Sequence, residues 1–209
     1  MKKQIIALDA DGVLLDYHVA YRHVWQKAFG TLPALKDSQA YWPWDRWSVP
    51  RLSLERRMIL DAVMDVEFWS SIPAVPGAQD ACLKLVQAGY ELVCVTAVPH
   101  QYADARLENL KDLGYPVERV FAAGAGSDPN RSIKTDALVE LQPVAFVDDF
   151  APYFRGIPPE VHAALVTREP NGSPNVGENL ALAHSQHVDL AAFASWWVDR
   201  LSSGGPDVL

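Results

Sequence analysis

The chain has 209 residues, of which 49% are hydrophobic and 21% are charged. This is enough apolar material for a folded core, which excludes an intrinsically disordered chain. Eighteen basic against 26 acidic residues give a net charge of −8, which disfavours a protein that coats DNA or RNA, because the phosphate backbone would be repelled. A small phosphate still suits an acidic protein when a metal or a few local cations neutralise it.

The amino terminus superficially resembles a signal peptide, because two lysines precede an apolar run. Asp9 and Asp11 interrupt that run, and no small-residue cleavage site follows. No stretch approaches the roughly 18 apolar residues of a membrane helix. Cys82 and Cys94 do not form a CxxC pair, and we expect buried, reduced thiols. These features predict a soluble cytoplasmic protein with no membrane partner.

Five short apolar runs predict buried strands. They are nearly continuous rather than alternating, as is typical of strands covered on both faces of a parallel sheet. The predicted strands are residues 4–9, 91–96, 119–123, 144–147 and 162–166, and helical patterns cover residues 78–88, 102–113, 133–141 and 187–201. This alternation predicts an α/β fold with right-handed crossovers and a doubly wound parallel sheet.

About sixty residues between the first strand and the Pro76-Gly77 turn contain no convincing strand. Residues 18–29 and 52–66 have helical spacing, and a Pro- and Trp-rich piece joins them. A structureless loop of this length is uncommon within a domain. We therefore predict a core domain of residues 1–14 and 75–209 and an inserted helical cap of residues 15–74.

Acidic residues follow two of the predicted strands at their carboxyl ends. Asp9 and Asp11 follow the first strand, and Asp148 and Asp149 follow the fourth. Ligands of open α/β sheets bind outside the carboxyl ends of the strands. Four carboxylates in one crevice repel one another unless a cation lies among them, and oxygen ligands favour Mg²⁺. Such acids also cap loops, but two pairs on two strands favour the metal site.

Two further residues fall at the same edge of the sheet. Thr96 closes the second strand, where a hydroxyl and free backbone N–H groups suit a phosphate oxygen. Lys134 begins the helix before the fourth strand, where an ammonium group would balance a carboxylate nucleophile and a phosphoryl group. A strand-end threonine or a helix lysine is common by itself. Their order along the chain is what indicates a phosphate site.

The motifs together resemble those of the haloacid dehalogenase-like (HAD) hydrolases. The resemblance rests on LDADGVLLD around Asp9, VCVTA around Thr96, SIKTDAL around Lys134 and AFVDDF around Asp148, in that order. It spans residue 5 to about residue 155, and the insertion is similar to the family's helical cap of the first type. FWSSIPAVPGAQDACLKL, leading into VCVTAVP, resembles the deoxyribonucleotidase branch less specifically.

The resemblance implies a phosphatase mechanism. Asp9 would attack phosphorus and form an aspartyl-phosphate, and Asp11 would protonate the leaving oxygen and then activate water. Mg²⁺ would be held by the Asp9 carboxylate, the Asp11 backbone carbonyl and Asp149, with Asp148 orienting Lys134 or a metal-bound water. Dehalogenases of the family lack an acid two residues after the nucleophile, so Asp11 favours phosphate ester hydrolysis.

The chain departs from the family pattern at two places. Ala97 follows Thr96 where many relatives have a polar residue that helps to bind phosphate, so this contact must come from the backbone or the cap. No third acid follows Asp148 and Asp149, which implies a lower metal affinity or a water in that place.

Aromatic residues of the insertion are candidates for substrate recognition. Stacking on rings such as Trp44 and Trp47 in WPWDRW would hold a nucleobase. A helical subdomain of this size also needs large side chains to build its own core, and that alternative stays open. His184 and His187 share a predicted helix face but lack a third ligand, so we expect surface residues.

The leading functional hypothesis is a Mg²⁺-dependent phosphomonoesterase of a small metabolite, with a nucleoside monophosphate as one candidate. A phosphotransferase or mutase of the same fold is the second hypothesis, and a non-catalytic ligand-binding protein is the third. The presence of Asp9, Asp11, Lys134 and the acidic pair disfavours the third. The substrate and the oligomeric state stay open.

Overall fold

The computed structural model describes residues 3–124, 126 and 128–202. A parallel sheet at its centre contains β1 (Ile5–Leu8), β2 (Glu91–Thr96), β3 (Val117–Ala122), β4 (Ala145–Asp148), β5 (His162–Val166) and β6 (Ser185–His187). Their order in the sheet is β3-β2-β1-β4-β5-β6, and every neighbouring pair is parallel. The predicted doubly wound α/β fold is confirmed.

Helices cover both faces of this sheet and fill the insertion. They are α1 (Tyr17–Phe29), α2 (Pro43–Arg46), α3 (Leu54–Val63), α4 (Val66–Trp69), α5 (Ala78–Gln87), α6 (Ala103–Asp112), α7 (Thr135–Leu141), α8 (Gly177–Leu180) and α9 (Leu190–Ser202). Short 3-10 turns lie at His100–Tyr102 and Ala151–Phe154. Within the described ranges, no helix is long and apolar enough to cross a membrane.

The strands are apolar on both faces because each face packs against helices. Ile6 and Leu8 of β1 point into a core shared with α5, α6 and α9, whereas Ile5 and Ala7 point into a core shared with α7. Successive side chains of a strand face opposite ways, so four consecutive buried residues need a layer on each side.

The insertion leaves and rejoins the core through two paired segments. The Asp16 N–H donates to the Pro73 carbonyl at 2.7 Å, and the Val75 N–H donates to the Leu14 carbonyl at 2.9 Å. The Tyr115 hydroxyl, between α6 and β3, donates to the same Leu14 carbonyl at 2.5 Å. These bonds lie at the positions predicted for the domain boundaries, and the division itself stays a prediction.

Several elements differ from the sequence prediction. The helix predicted at 52–66 is two helices, because the Asp65 side chain accepts from the Phe68 N–H and starts α4. His187 lies on β6 rather than on the last helix, which begins at Leu190. A polar Ser-Gln-His strand lacks the apolar run by which the other strands were predicted. His184 and His187 therefore share no helix face.

Replacing Tyr115 with Phe tests the hydrogen bond at the cap junction. Tyr115→Phe should lower the free energy of unfolding by about 1 kcal/mol, since one buried hydrogen bond is lost while Leu14 keeps its bond from Val75. Urea unfolding measures the change. Tyr90→Phe is the control, because Tyr90 is as buried as Tyr115, at 4% exposure, and its hydroxyl bonds to no described residue. Equal losses in the two variants would contradict a role for this bond.

Candidate active site

The strand order brings the two acidic motifs to one point. β1 and β4 are neighbours, and the chain reverses its direction of winding between them. Asp9 follows β1, Asp148 is the last residue of β4, and Asp149 follows it. One carboxylate oxygen from each of the three lies within 4.8 Å of the others, and all three residues are buried. This is the switch point at which open α/β sheets bind ligands.

Lys134 supplies the positive charge inside this group. It caps the amino end of α7 and is fully buried, and its Nζ donates to Asp9 Oδ1 at 2.5 Å and to Asp148 Oδ2 at 2.7 Å. Burial lowers the pKa of the lysine, but the attraction of Asp148 and Asp9 is stronger, so the net shift is upward. Lys134 is therefore a permanent cation that bridges the two strands.

The two acids of the DD motif have different surroundings. Asp148 accepts from Lys134 on Oδ2 and from the Phe150 N–H on Oδ1, so both oxygens are engaged. Asp149 Oδ2 accepts from Arg168 at 3.3 Å and from the Tyr41 hydroxyl at 3.4 Å, and its Oδ1 bonds to no described residue. Burial raises the pKa of Asp149 to about 6 although Arg168 opposes this, and burial also raises the pKa of Asp148.

Asp11 lies outside the group of three carboxylates. A single nitrogen of Arg106 donates to both of its oxygens at 2.9 Å, and Arg106 is fully buried. Burial raises the pKa of Asp11, and the Arg106 guanidinium partly offsets this rise. The side chain of Asp11 is 26% exposed. Arg106 thus holds Asp11 from the interior of the protein, and the rest of the Asp11 side chain is accessible to solvent.

Gly12 follows these acids in a conformation that only glycine adopts easily, with φ at +96°. A Cβ at this position would lie 2.3 Å from Asp149 Oδ2 and 2.5 Å from the Arg168 guanidinium. The loop after β1 can therefore approach the DD motif only because residue 12 has no side chain.

Thr96 and Ala97 lie at the carboxyl end of β2, beside β1. Thr96 is buried, and its hydroxyl bonds to no described residue. Its carbonyl accepts from the Ala123 N–H at 2.8 Å, and the Val98 carbonyl accepts from the Gly124 N–H at 3.0 Å. These bonds fix the turn that carries the predicted phosphate contacts.

The two predicted cap tryptophans have different environments. Trp47 is 8% exposed, and its indole N–H donates to the His18 carbonyl at 2.9 Å, so its ring is buried and its polar atom is bonded within the insertion. Trp44 is 49% exposed and stacks on Trp42, with ring centroids 4.8 Å apart. Trp42 in turn contacts the edge of Phe150, the residue after the DD motif. The exposed Trp44 is therefore connected to the acidic site through the partly buried Trp42.

The cap reaches the site through Tyr41 and Arg46. Tyr41 donates to Asp149, and Arg46 contacts Glu169 Oε1 at 3.1 Å. Glu169 also lies 3.3 Å from Arg168 and 3.7 Å from His18. Burial raises the pKa of Glu169, but His18 and Arg168 more than offset this and bring it to about 2. An ionised Glu169 thus joins cap and core residues beside Asp149.

Sequence reasoning missed Arg106 and Arg168, and it missed the contact of Tyr41, one of the aromatic residues of the insertion, with Asp149. Arg168 had a usable signal, because it follows the end of β5 next to β4, where the acids were found. Arg106 lies in a polar stretch of α6, and Tyr41 lies in the irregular part of the insertion. Neither position carries a local signal for the site.

Comparison with known proteins identifies a matching family and similar folds. The sequence model of the family described as "5' nucleotidase, deoxy (Pyrimidine), cytosolic type C protein" matches residues 3–115, more than half of the chain. No curated protein matches the chain.

The similar solved structures are HAD-like proteins. A haloacid dehalogenase-like family hydrolase from Streptococcus pneumoniae has a TM-score of 0.63 at 14% identity, over 93% of this chain and 98% of its own. A HAD family hydrolase from Deinococcus radiodurans, with bound phosphate and sodium, has a TM-score of 0.59 at 16% identity, over 94% and 96%. CbbY from Rhodobacter sphaeroides in complex with phosphate has a TM-score of 0.54 at 14% identity, over 91% of this chain and 96% of its own. At these identities the structures show the shared fold.

Replacing Lys134 with Met tests the charge balance of the site. Lys134→Met should lower the free energy of unfolding by about 3–5 kcal/mol at neutral pH, because buried carboxylates lose their shared cation. Chemical unfolding measures the loss. The control is Lys84→Met, which removes an exposed lysine whose Nζ contacts Ser195. A loss no larger than in this control would show that Lys134 does not stabilise the carboxylates.

Proposed function

We propose that this chain, which belongs to the 5′-nucleotidase, deoxy (pyrimidine), cytosolic type C family, hydrolyses the phosphomonoester of a small metabolite through an aspartyl-phosphate. A nucleoside monophosphate is the candidate substrate. The chain is a HAD-like hydrolase of the phosphatase type. The observation that carries the proposed reaction is the buried bridge of Lys134 between Asp9 and Asp148, with Asp149 beside it.

The site fits Mg²⁺ because its candidate donors are all oxygen atoms. Asp9 and Asp149 would hold the ion, with the backbone carbonyl of Asp11 as a further ligand. Asp148 is the less suitable direct ligand, since both of its oxygens already accept hydrogen bonds. When bound, Mg²⁺ supplies positive charge that neutralises the phosphoryl oxygens.

Asp9 is the nucleophile of this proposal. Lys134 fixes one of its carboxylate oxygens, and Asp9 directly follows the carboxyl end of β1. An Asp9 oxygen attacks phosphorus, and the ester oxygen leaves with a proton from Asp11. A water then attacks the phosphorus of the acyl phosphate and gives its proton to Asp11, the bond from phosphorus to Asp9 breaks, and phosphate and the free Asp9 carboxylate result. Lys134, Thr96 and the backbone at Ala97 hold the phosphoryl oxygens during both steps.

We place the enzyme in the cytoplasm. The family description names a cytosolic protein, and Cys82 and Cys94 are free, buried thiols. Its partner is a small phosphorylated molecule, and the relatives from Deinococcus radiodurans and Rhodobacter sphaeroides were solved with phosphate.

Asp9→Asn should abolish phosphate release while the fold persists. An amide has nearly the volume of a carboxylate, so packing survives, but it is a poor nucleophile and a poorer Mg²⁺ ligand. Free phosphate is measured from a panel of nucleotides, sugar phosphates and phospho-acids with Mg²⁺, and the melting temperature reports the fold. Activity within about tenfold of wild type would eliminate Asp9 as the nucleophile. An isomerised ester in place of free phosphate would identify a mutase.

Trp44→Ala tests recognition of a base by the cap. Stacking on an exposed ring contributes roughly 1–3 kcal/mol per base, so kcat/KM for a nucleotide should fall about five- to 150-fold. Hydrolysis of p-nitrophenyl phosphate should be spared.

The contrasting variant is Trp47→Ala. It should lower the melting temperature, because Trp47 is buried and bonded inside the cap. If sugar phosphates are preferred over every nucleotide, base recognition by Trp44 is excluded while the phosphatase assignment remains.

A further inference from the structure

Arg106 is a fully buried arginine whose charge is directed at Asp11. Its terminal nitrogen donates to both oxygens of Asp11 at 2.9 Å, although 95 residues separate the two in the chain. Its Nε and remaining terminal nitrogen are buried and bond to no described residue. Burying a guanidinium with incomplete hydrogen bonding lowers the free energy of unfolding, so Arg106 destabilises the fold unless Asp11 compensates.

We propose that Arg106 is a positioning residue that orients the Asp11 carboxylate toward the leaving oxygen of the substrate. The inference rests on the proposed phosphomonoesterase function and adds a residue to it. Arg106 has no exposed surface and so does not touch the substrate itself. It acts through Asp11, the group that exchanges the proton.

The contact with Arg106 limits the orientation of the Asp11 carboxylate but leaves part of it accessible. One nitrogen bridges both oxygens, which fixes the direction in which the carboxylate points. Asp11 keeps 26% of its side chain exposed, so its outer side stays open to a leaving group or a water. Proton transfer requires donor and acceptor within hydrogen-bond reach, and a misplacement of about 1 Å can cost 100-fold.

The cap completes the arrangement. The Arg106 guanidinium carbon lies 5.2 Å from the centroid of the Trp69 ring, which belongs to α4, and Trp69 stacks with Tyr17 and Tyr102. A ring face attracts a cation and limits its movement. Arg106 is thus held between a cap residue and the proton-transfer group of the core.

The alternative is a purely structural role, in which Arg106 only neutralises a buried acid. The two roles differ in their dependence on the leaving group. An alkoxide needs a proton as it departs, whereas p-nitrophenolate does not. Loss of positioning therefore harms an alkyl phosphate selectively, and general loss of structure harms both substrates alike.

The experiment compares single-turnover ester cleavage of an alkyl phosphate and of p-nitrophenyl phosphate, with Mg²⁺. The variants are Arg106→Met, Arg106→Lys, Asp11→Asn and Asp11→Asn/Arg106→Met. Met keeps an unbranched, flexible side chain and the helix propensity of arginine without its charge. Lys111→Met is the matched control, since it removes an exposed charge from the same helix. Melting temperatures report folding.

Arg106→Met should slow alkyl phosphate cleavage roughly 10- to 100-fold and p-nitrophenyl phosphate cleavage by less than about threefold. Arg106→Lys should recover part of the alkyl loss, because an ammonium group keeps a single donor on Asp11. The double variant should be no slower on the alkyl ester than Asp11→Asn, since both changes act on one group. Lys111→Met should behave as wild type.

Equal losses on the two esters, or losses that multiply in the double variant, would overturn the positioning role. If Arg106→Met does not fold, Arg106→Lys decides, since it should still lose more on the alkyl ester than on the aryl ester. Wild-type protein that cleaves neither ester, nor any phosphate of the wider panel, would instead refute the proposed function.

Discussion

The structure depends on balancing three buried carboxylates at the end of two adjacent strands. With oxygens within 4.8 Å, each ionised pair of Asp9, Asp148 and Asp149 repels by about 3–4 kcal/mol at an effective dielectric constant of about 20. Two cations from separate elements offset this repulsion. Lys134 lies between Asp9 and Asp148, and Arg168 lies on Asp149. Each of the three carboxylates therefore has a cation as a direct partner, and the cations come from segments outside β1 and β4.

Two aromatic rings lie against the cation that Asp9 and Asp148 share. Lys134 lies 4.5 Å from the ring centroid of Tyr153 and 5.4 Å from that of Phe146, which exclude water from its ion pairs. In such a medium, each ion pair is strong, and each unpaired charge is costly. The ion pair of Asp149 with Arg168 depends on Gly12 in a different way, because a Cβ at this position would overlap both side chains.

The strands with apolar runs and the acids at their ends could be predicted from the local sequence. Residues whose role depends on contacts with distant parts of the chain could not. Apolar runs predicted five of the strands, and the acids at two strand ends gave the location of the crevice. Strand β6, with its polar Ser-Gln-His sequence, lacks that signal and owes its place to pairing with β5. Arg106 could not be predicted for a related reason. Its partner Asp11 is 95 residues away in the chain, and the residues around Arg106 in its own helix are mostly polar. Only tertiary packing makes such a residue part of a site.

The cap connects to both halves of this charge arrangement. Tyr41 donates to Asp149, and Trp69 covers the guanidinium that holds Asp11. The contacts are not fully satisfied, because both ring nitrogens of His18 and Oε2 of Glu169 are buried without a hydrogen bond to a described residue. Oε2 of Glu169 lies instead 3.3 Å from the Arg168 guanidinium, while Oε1 contacts Arg46 of the insertion. One carboxylate therefore joins a cation of the insertion to the cation that pairs with Asp149, so the charge balance of the site extends beyond the strand ends.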